Sequence, residues 1–414
     1  MTREPAPAAA PARGSVGEVF LAFLRLGLTS FGGPTAHLGY FRDELVTRRR
    51  WLDDSRYGEL VALAQFLPGP ASSQVGFALG LLRAGPLGAV VAWLAFTLPS
   101  AMLLVGFAYA AAALDSPVGD GIVTGLKIVA VAIVAQAVWG MARTLAPDAR
   151  RGSIAVVAVV VALLAAGSLG QVAAIALGAL AGLLLCREPD AGDLGGAAVG
   201  GGGDALVVAV SRRAGAIALG TFAALLMILP LVAAAAGTRL ADIADGFYRA
   251  GALVFGGGHV MLPLLQAEVV AAGWVSPEQF LAGYGAAQAV PGPLFTFAAY
   301  LGALSAPGAA GLLGAAVALV AVFLPGMLVM VGVLPFWSAV RTRPAARALL
   351  RGANAAVVGI LAAALYDPVF VTAVVDAPSF ALAAVCFVLL VAWRMPPWAV
   401  VLVGAVGGLL ITLV

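Results

Sequence analysis

Two arginines, Arg25 and Arg249, lie inside otherwise apolar segments, and each opens the same signature: Arg25-x-Gly27-x-x-x-Phe31-Gly32-Gly33 and Arg249-x-Gly251-x-x-x-Phe255-Gly256-Gly257. A guanidinium in such a segment costs several kcal/mol unless an anion pairs with it. The glycine pairs interrupt a helix, and the half-helix that follows presents unpaired N–H groups and the positive end of its dipole, which suits an anion. A second interruption follows each time, at Gln65-x-x-Pro68-Gly69-Pro70 and at Gln288-x-x-Pro291-Gly292-Pro293. Ser72, Ser73 and Gln74 add hydroxyl and amide donors after the first, and His37 and His259, just past the glycine breaks, can donate to an anion or carry a proton. The set fits a tetrahedral oxyanion bound by Arg25, Gly32, Gly33, His37, Gln65, Gly69, Ser72, Ser73, Gln74, Arg249, Gly256, Gly257, His259, Gln288 and Gly292. Glu18, Glu59 and Asp242 are, with the histidines, the candidates for a coupling proton. Each residue also has a purely structural reading. Glu18 and Asp242, about two turns before the arginines, can neutralise them permanently. The glutamines and serines can bond backbone groups freed by proline, and a membrane histidine can simply link two helices. Lys127, the single lysine, whose repeat partner is Asn354, reads as a side chain snorkelling from a helix end.

The elements that must position these residues are membrane helices. Of 414 residues, 62% are hydrophobic and 10% charged, against roughly 25% charged in a soluble domain. The mean hydropathy is +1.05, and several apolar runs approach the roughly 20 residues that cross a bilayer. This is an all-α polytopic membrane protein, with the lipid bilayer as solvent. The net charge of +3 orients the chain and does not indicate nucleic acid. Cys186 and Cys386 read as inert packing, and no metal or other cofactor is expected. A catalytic constellation such as His-Glu-x-x-His is missing from the sequence, so an enzyme is not expected; nor is there the phosphate loop of an ATP-driven pump.

The apolar stretch from Ile154 to Leu185 is about 48 Å long as one helix, too long for one crossing, and should split around Gly167, Ser168 and Gly170. Residues 1–15 read as a disordered tail, and residues 187–213, with Gly200 to Gly203, as a cytoplasmic linker. The halves on either side, 16–186 and 238–414, are duplicates: besides the two signatures, Trp51 with Tyr57 matches Trp274 with Phe280, and Leu98-Pro99 matches Leu324-Pro325, in nearly one register. One unpaired span, 214–237, separates them, so an even number of crossings in the first half makes the repeats inverted in topology. With the N-terminus cytoplasmic, nearly all of the 23 lysines and arginines fall inside. That distribution requires the arginine-rich loop from Arg42 to Arg56 to be cytoplasmic and the broken segments to be re-entrant hairpins. Full crossing of all four broken segments, with that loop outside, is the alternative.

Phe31-Gly32-Gly33-Pro34-x-Ala36-His37, Trp51-Leu52, Gln65-x-x-Pro68-Gly69-Pro70 with Gln74, Phe255-Gly256-Gly257-Gly258-His259 and Pro291-Gly292-Pro293 together resemble the chromate ion transporter family, in its long two-domain form. The resemblance covers nearly the whole chain. It implies a multi-pass protein of the bacterial inner membrane that exports chromate, driven by the proton motive force or by exchange, and so confers chromate resistance. Sulfate, with the same charge and nearly the same shape, is not separated from chromate at this level. An uncoupled oxyanion channel is the competing transport reading. The oligomeric state is open, a homodimer included.

Overall fold

The computed structural model describes residues 14–113, 116–165, 167–187, 210–306, 308–340 and 343–413. Nearly all of the tail expected over residues 1–15, and most of the expected linker, lie outside them. Among the described residues there are helices and turns and no strand. Six helical stretches are long and apolar enough to cross a membrane. The split expected near Gly167 is present, between α6 and α7.

The first half runs α1 (Val16–Thr29), α2 (Gly33–Phe41), a π-helical turn (Arg42–Arg48), α3 (Asp54–Phe66), α4 (Ala71–Ala113), α5 (Pro117–Leu145), α6 (Ala149–Leu164) and α7 (Ser168–Leu185). After α8 (Arg212–Ala236), the second half repeats the order as α9 (Arg239–Ala252), α10 (Met261–Val269), α11 (Pro277–Ala287), α12 (Phe297–Ser305) and α13 (Gly311–Val333). It ends with α14 (Pro344–Ala364), α15 (Ala377–Val391) and α16 (Pro397–Leu413).

The broken segments fold back on themselves. Ser15 caps α1 with its hydroxyl, and one turn later Glu18 accepts from Trp51 Nε1 at 2.8 Å and pairs with Arg83 at 3.0 Å. The start of α1, the loop after α2 and the middle of α4 therefore share one end, the base, while Ser30–Gly33 and residues 67–70 form the tips of two hairpins. α4 contains its own reversal, where Ala84 and Gly85 leave helical geometry (Gly85 φ 70°). Its two arms pack so closely that a Cβ on Gly80 would overlap the Gly88 carbonyl. In the second half the Arg239 guanidinium lies 4.7 Å over the Trp274 ring, which again joins the start of α9 to the loop after α10. Gly302 and Gly314 meet across the α12–α13 turn as Gly80 and Gly88 do.

The halves interlock through the other helices. α5 packs on α16 where Gly121 faces Leu409 and Gly125 faces Gly404, and α14 packs on α7 where Gly352 faces Gly178 and Ala348 faces Gly182. Rising numbers on one helix meet falling numbers on the other, so both pairs are antiparallel. Small residues allow such close backbone approach where lipid offers no hydrophobic drive between helices. α8 stays peripheral, touching α13 through Gly215 and Gly332.

Candidate functional site

The four tips meet in one layer. The Gly69 N–H donates to the Val254 carbonyl at 2.7 Å and the Gly292 N–H to the Ser30 carbonyl at 2.8 Å, so each Pro-Gly-Pro tip is bonded to the end of the first hairpin helix of the opposite half. Both glycines have positive φ, 115° and 98°, and both are crowded: a Cβ on Gly69 would lie 2.8 Å from Gly326 Cα, and one on Gly292 2.8 Å from Ser100 Oγ. Only glycine satisfies both constraints. Pro34, after the first glycine pair, abuts Gly258 of the second.

Buried polar atoms crowd this layer, several without a partner. His37, Ser72, Ser73, Gln74, Thr97 and Ser100 are all buried. His37 Nδ1 lies 3.4 Å from Ser72 Oγ. Gln74 Nε2 donates to the Pro68 carbonyl at 2.8 Å and to the Gly326 carbonyl at 2.9 Å, and Ser100 Oγ donates to the Thr97 carbonyl at 3.0 Å. Left without a hydrogen-bond partner are Ser30 Oγ, His37 Nε2, Ser73 Oγ, Gln74 Oε1 and Thr97 Oγ1, with Gln288 Nε2 from the second half. A buried polar group without a partner costs about 1–3 kcal/mol, so each of these groups calls for a partner that the described residues do not supply. The N-termini of α2, capped by no side chain, and of α4 add free backbone N–H groups beside them.

The duplication does not extend to these side chains. In register, Ser72, Ser73 and Gln74 correspond to Phe295, Thr296 and Phe297, Thr97 and Ser100 to Phe323 and Gly326, and His37 to Met261. Of these, Phe295, Phe297, Phe323 and Met261 are buried apolar residues, and Trp93 of the first half packs on Phe323 at 5.8 Å. The layer thus has a donor-rich side from the first half and an aromatic side from the second.

Other sequence candidates fall elsewhere. Gln65 is exposed, and Glu59 is buried near the base of its hairpin. Glu18 pairs with Arg83 and not with Arg25. Arg25 is exposed on α1 and makes no ion pair among the described residues. Arg249 instead forms a bidentate pair with Glu268, at 3.1 Å and 2.9 Å, and reaches Asp245 at 3.2 Å; Asp242, two turns away, is not its partner. The two arginines that the repeat makes equivalent are therefore in different electrical states, because Glu44, the counterpart of Glu268, bonds Arg48 and Arg49. Replacing Glu268 with Gln should destabilise the protein by about 1 kcal/mol, since it removes the bidentate pair and leaves Arg249 with Asp245 alone. The double change Arg249→Met with Glu268→Leu should melt lower still, because it strands the Asp245 carboxylate without a cation. His259 Nδ1 lies 2.7 Å from the Tyr284 hydroxyl and is engaged there. Thr97, Ser100, Ser30 and Tyr284 were not singled out from the sequence; the signal for Thr97 and Ser100 was their position on either side of the repeated Leu98-Pro99.

The family model for "Chromate transporter" matches residues 17–183 and again 241–409. The chain belongs to the chromate transporter family. Among its relatives, the chromate transport protein of Pseudomonas aeruginosa is 30% identical over 369 residues, 88% of this chain and 84% of the relative. The chromate transport protein of Cupriavidus metallidurans is 29% identical over 395 residues, 94% and 91% of the two chains. No solved structure matches the chain. For a member of a transporter family with membrane-spanning helices, a layer of unpartnered donors enclosed by four interrupted helices is a candidate place for the ion.

Proposed function

We propose that this protein is a secondary transporter that exports chromate from the cytoplasm across the bacterial inner membrane, confers chromate resistance, and accepts sulfate-like dianions by the same chemistry. The observation that carries this reading is the set of buried donors without partners, Ser73, Thr97, Ser30 and His37 among them, lying where the four tips cross. Hydroxyls, a ring N–H and helix N-termini together match the acceptor-only surface of a tetrahedral dianion. Arg25, the unpaired arginine, supplies charge on the approach to the layer; Arg249, held by two carboxylates, is structural.

In this reading the N-terminus is cytoplasmic and the halves are inverted. Two features support it. The bases of the first-half hairpins lie together at the arginine-rich loop, as the positive-inside rule asks of re-entrant segments. Val131 to Ala135 of α5 lie beside Ala362 to Tyr366 at the end of α14, whereas Met141 and Leu145 lie with Asn354 around Gly256, so α5 and α14 run in opposite directions. The bonds between opposed tips favour a carrier over an open channel, because they must break for an ion to pass between the tips.

Labelled chromate uptake into everted membrane vesicles tests the proposal, with an imposed proton gradient and with excess sulfate. Gradient-dependent uptake that sulfate reduces and that Arg25→Ala lowers about tenfold is expected. Uptake indifferent to the gradient would point to an uncoupled pathway, and absence of uptake in protein of wild-type abundance would refute the reading.

A further inference from the structure

A polar cavity lies away from the tips, at the end of the molecule that carries the bases of the second-half hairpins. It has a volume of about 240 Å³ and is lined by residues of both halves, among them Gly167, Gln171, Gln266, Ala364 and Asp367. Its chemistry is the reverse of the oxyanion layer. Asp367 is the one charged lining residue, and it makes no ion pair among the described residues. Gln171 turns its Nε2 to the Pro263 carbonyl at 2.8 Å, which leaves Oε1 buried without a partner. An amide in that orientation offers its oxygen.

The helices around the cavity strengthen this bias. α6 and α10 end here, with Leu163 in the last turn of α6 and Gln266 and Ala267 in the last turn of α10, while α14 continues into a π-helical turn, Leu365–Phe370, that leaves helical geometry at Asp367. Helix C-termini carry partial negative charge and unpaired carbonyls. α7 starts at the same place, and its positive end opposes the others; one helix start stands against two helix ends and a carboxylate.

We infer that this cavity binds a small monovalent cation, held by the Asp367 carboxylate, Gln171 Oε1 and carbonyls at the ends of α6 and α10. One carboxylate among neutral oxygens balances a single positive charge. The cavity is larger than a bare alkali ion requires and has apolar walls, so it takes an ion with its water or the ammonium group of a lipid head. The inference does not rest on the transport reading: the cavity shares no residue with the layer at the tips.

Thermal melts of the purified full-length protein in detergent test it, with choline chloride as the reference salt against sodium, ammonium or ethanolammonium chloride at equal ionic strength. A saturable rise in Tm of about 2 °C with at least one of the small cations is expected for the wild type. Asp367→Asn should lose the rise and Gln171→Leu should weaken it, both with an unchanged melt in choline. Ser73→Ala, a change at the tips, should keep it. If the source is a lipid head, the same Asp367-dependent rise appears when vesicles of phosphatidylethanolamine replace vesicles of phosphatidylcholine, without any response to free cations. No response in either format, or a response that survives Asp367→Asn, overturns the inference.

Discussion

Gly352→Val should leave almost no folded protein in the membrane. A Cβ at this position would overlap the Gly178 carbonyl and press on the backbone of Gly182, so α14 and α7 must separate along their contact. Forced separation of two backbones exceeds the usual range for a single substitution, and a loss above about 4 kcal/mol is expected. Gly125→Val should behave alike, since its Cβ would meet the Gly404 carbonyl in the corresponding contact between α5 and α16. Gly220→Val is the control: nothing lies within 4 Å of a Cβ there, and its yield and melting temperature should match the wild type. Yield of monodisperse protein after detergent extraction separates the three variants. Comparable yields would mean that the halves are not held together by these contacts.

Ser73→Ala and Thr97→Val should have the opposite profile, an intact protein that no longer transports well. Neither hydroxyl has a hydrogen-bond partner, so removing it breaks no bond and relieves a buried polar group. The melting temperature should stay level or rise. A hydrogen bond to a charged group contributes about 1.5–3 kcal/mol, so each substitution should weaken chromate binding by about tenfold to a hundredfold. Half-saturation of chromate uptake in everted vesicles, set beside thermal melts of the same preparations, measures both effects. Unchanged half-saturation would remove these hydroxyls from the ion's path, and a fall in melting temperature would show that they carry structure.

Much of the fold was legible because membrane helices follow from simple rules. Runs of apolar residues, the Gly167 break and the paired Gly-Gly and Pro-Gly-Pro interruptions mark helix ends that the structure has. The partners of charged side chains were not legible. Glu18 stands two turns before Arg25 on the same helix, yet it bonds Arg83 and Trp51, which only the folding back of two hairpins brings to it. Arg249 pairs with Asp245, one turn back on α9, and with Glu268, which α10 brings beside α9, and not with Asp242. The candidate layer was half legible. Its glycines, His37 and the Ser72–Gln74 cluster follow from motif position, whereas Thr97 and Ser100 sit on a long apolar helix and enter the layer only because Pro-Gly-Pro of the other half crosses there.

The bond pattern at the tips has an electrical consequence. In the proposed topology, hairpins that enter from each side and meet midway leave a thin protein barrier, so the transmembrane voltage would fall across a short distance around the Gly69–Val254 and Gly292–Ser30 contacts. One elementary charge crossing the full potential exchanges about 2.3 kcal/mol per 100 mV, and a dianion about twice that. In a cell whose interior is negative, this force points outward for a dianion, and turnover of the proposed export should rise steeply as the membrane is hyperpolarised.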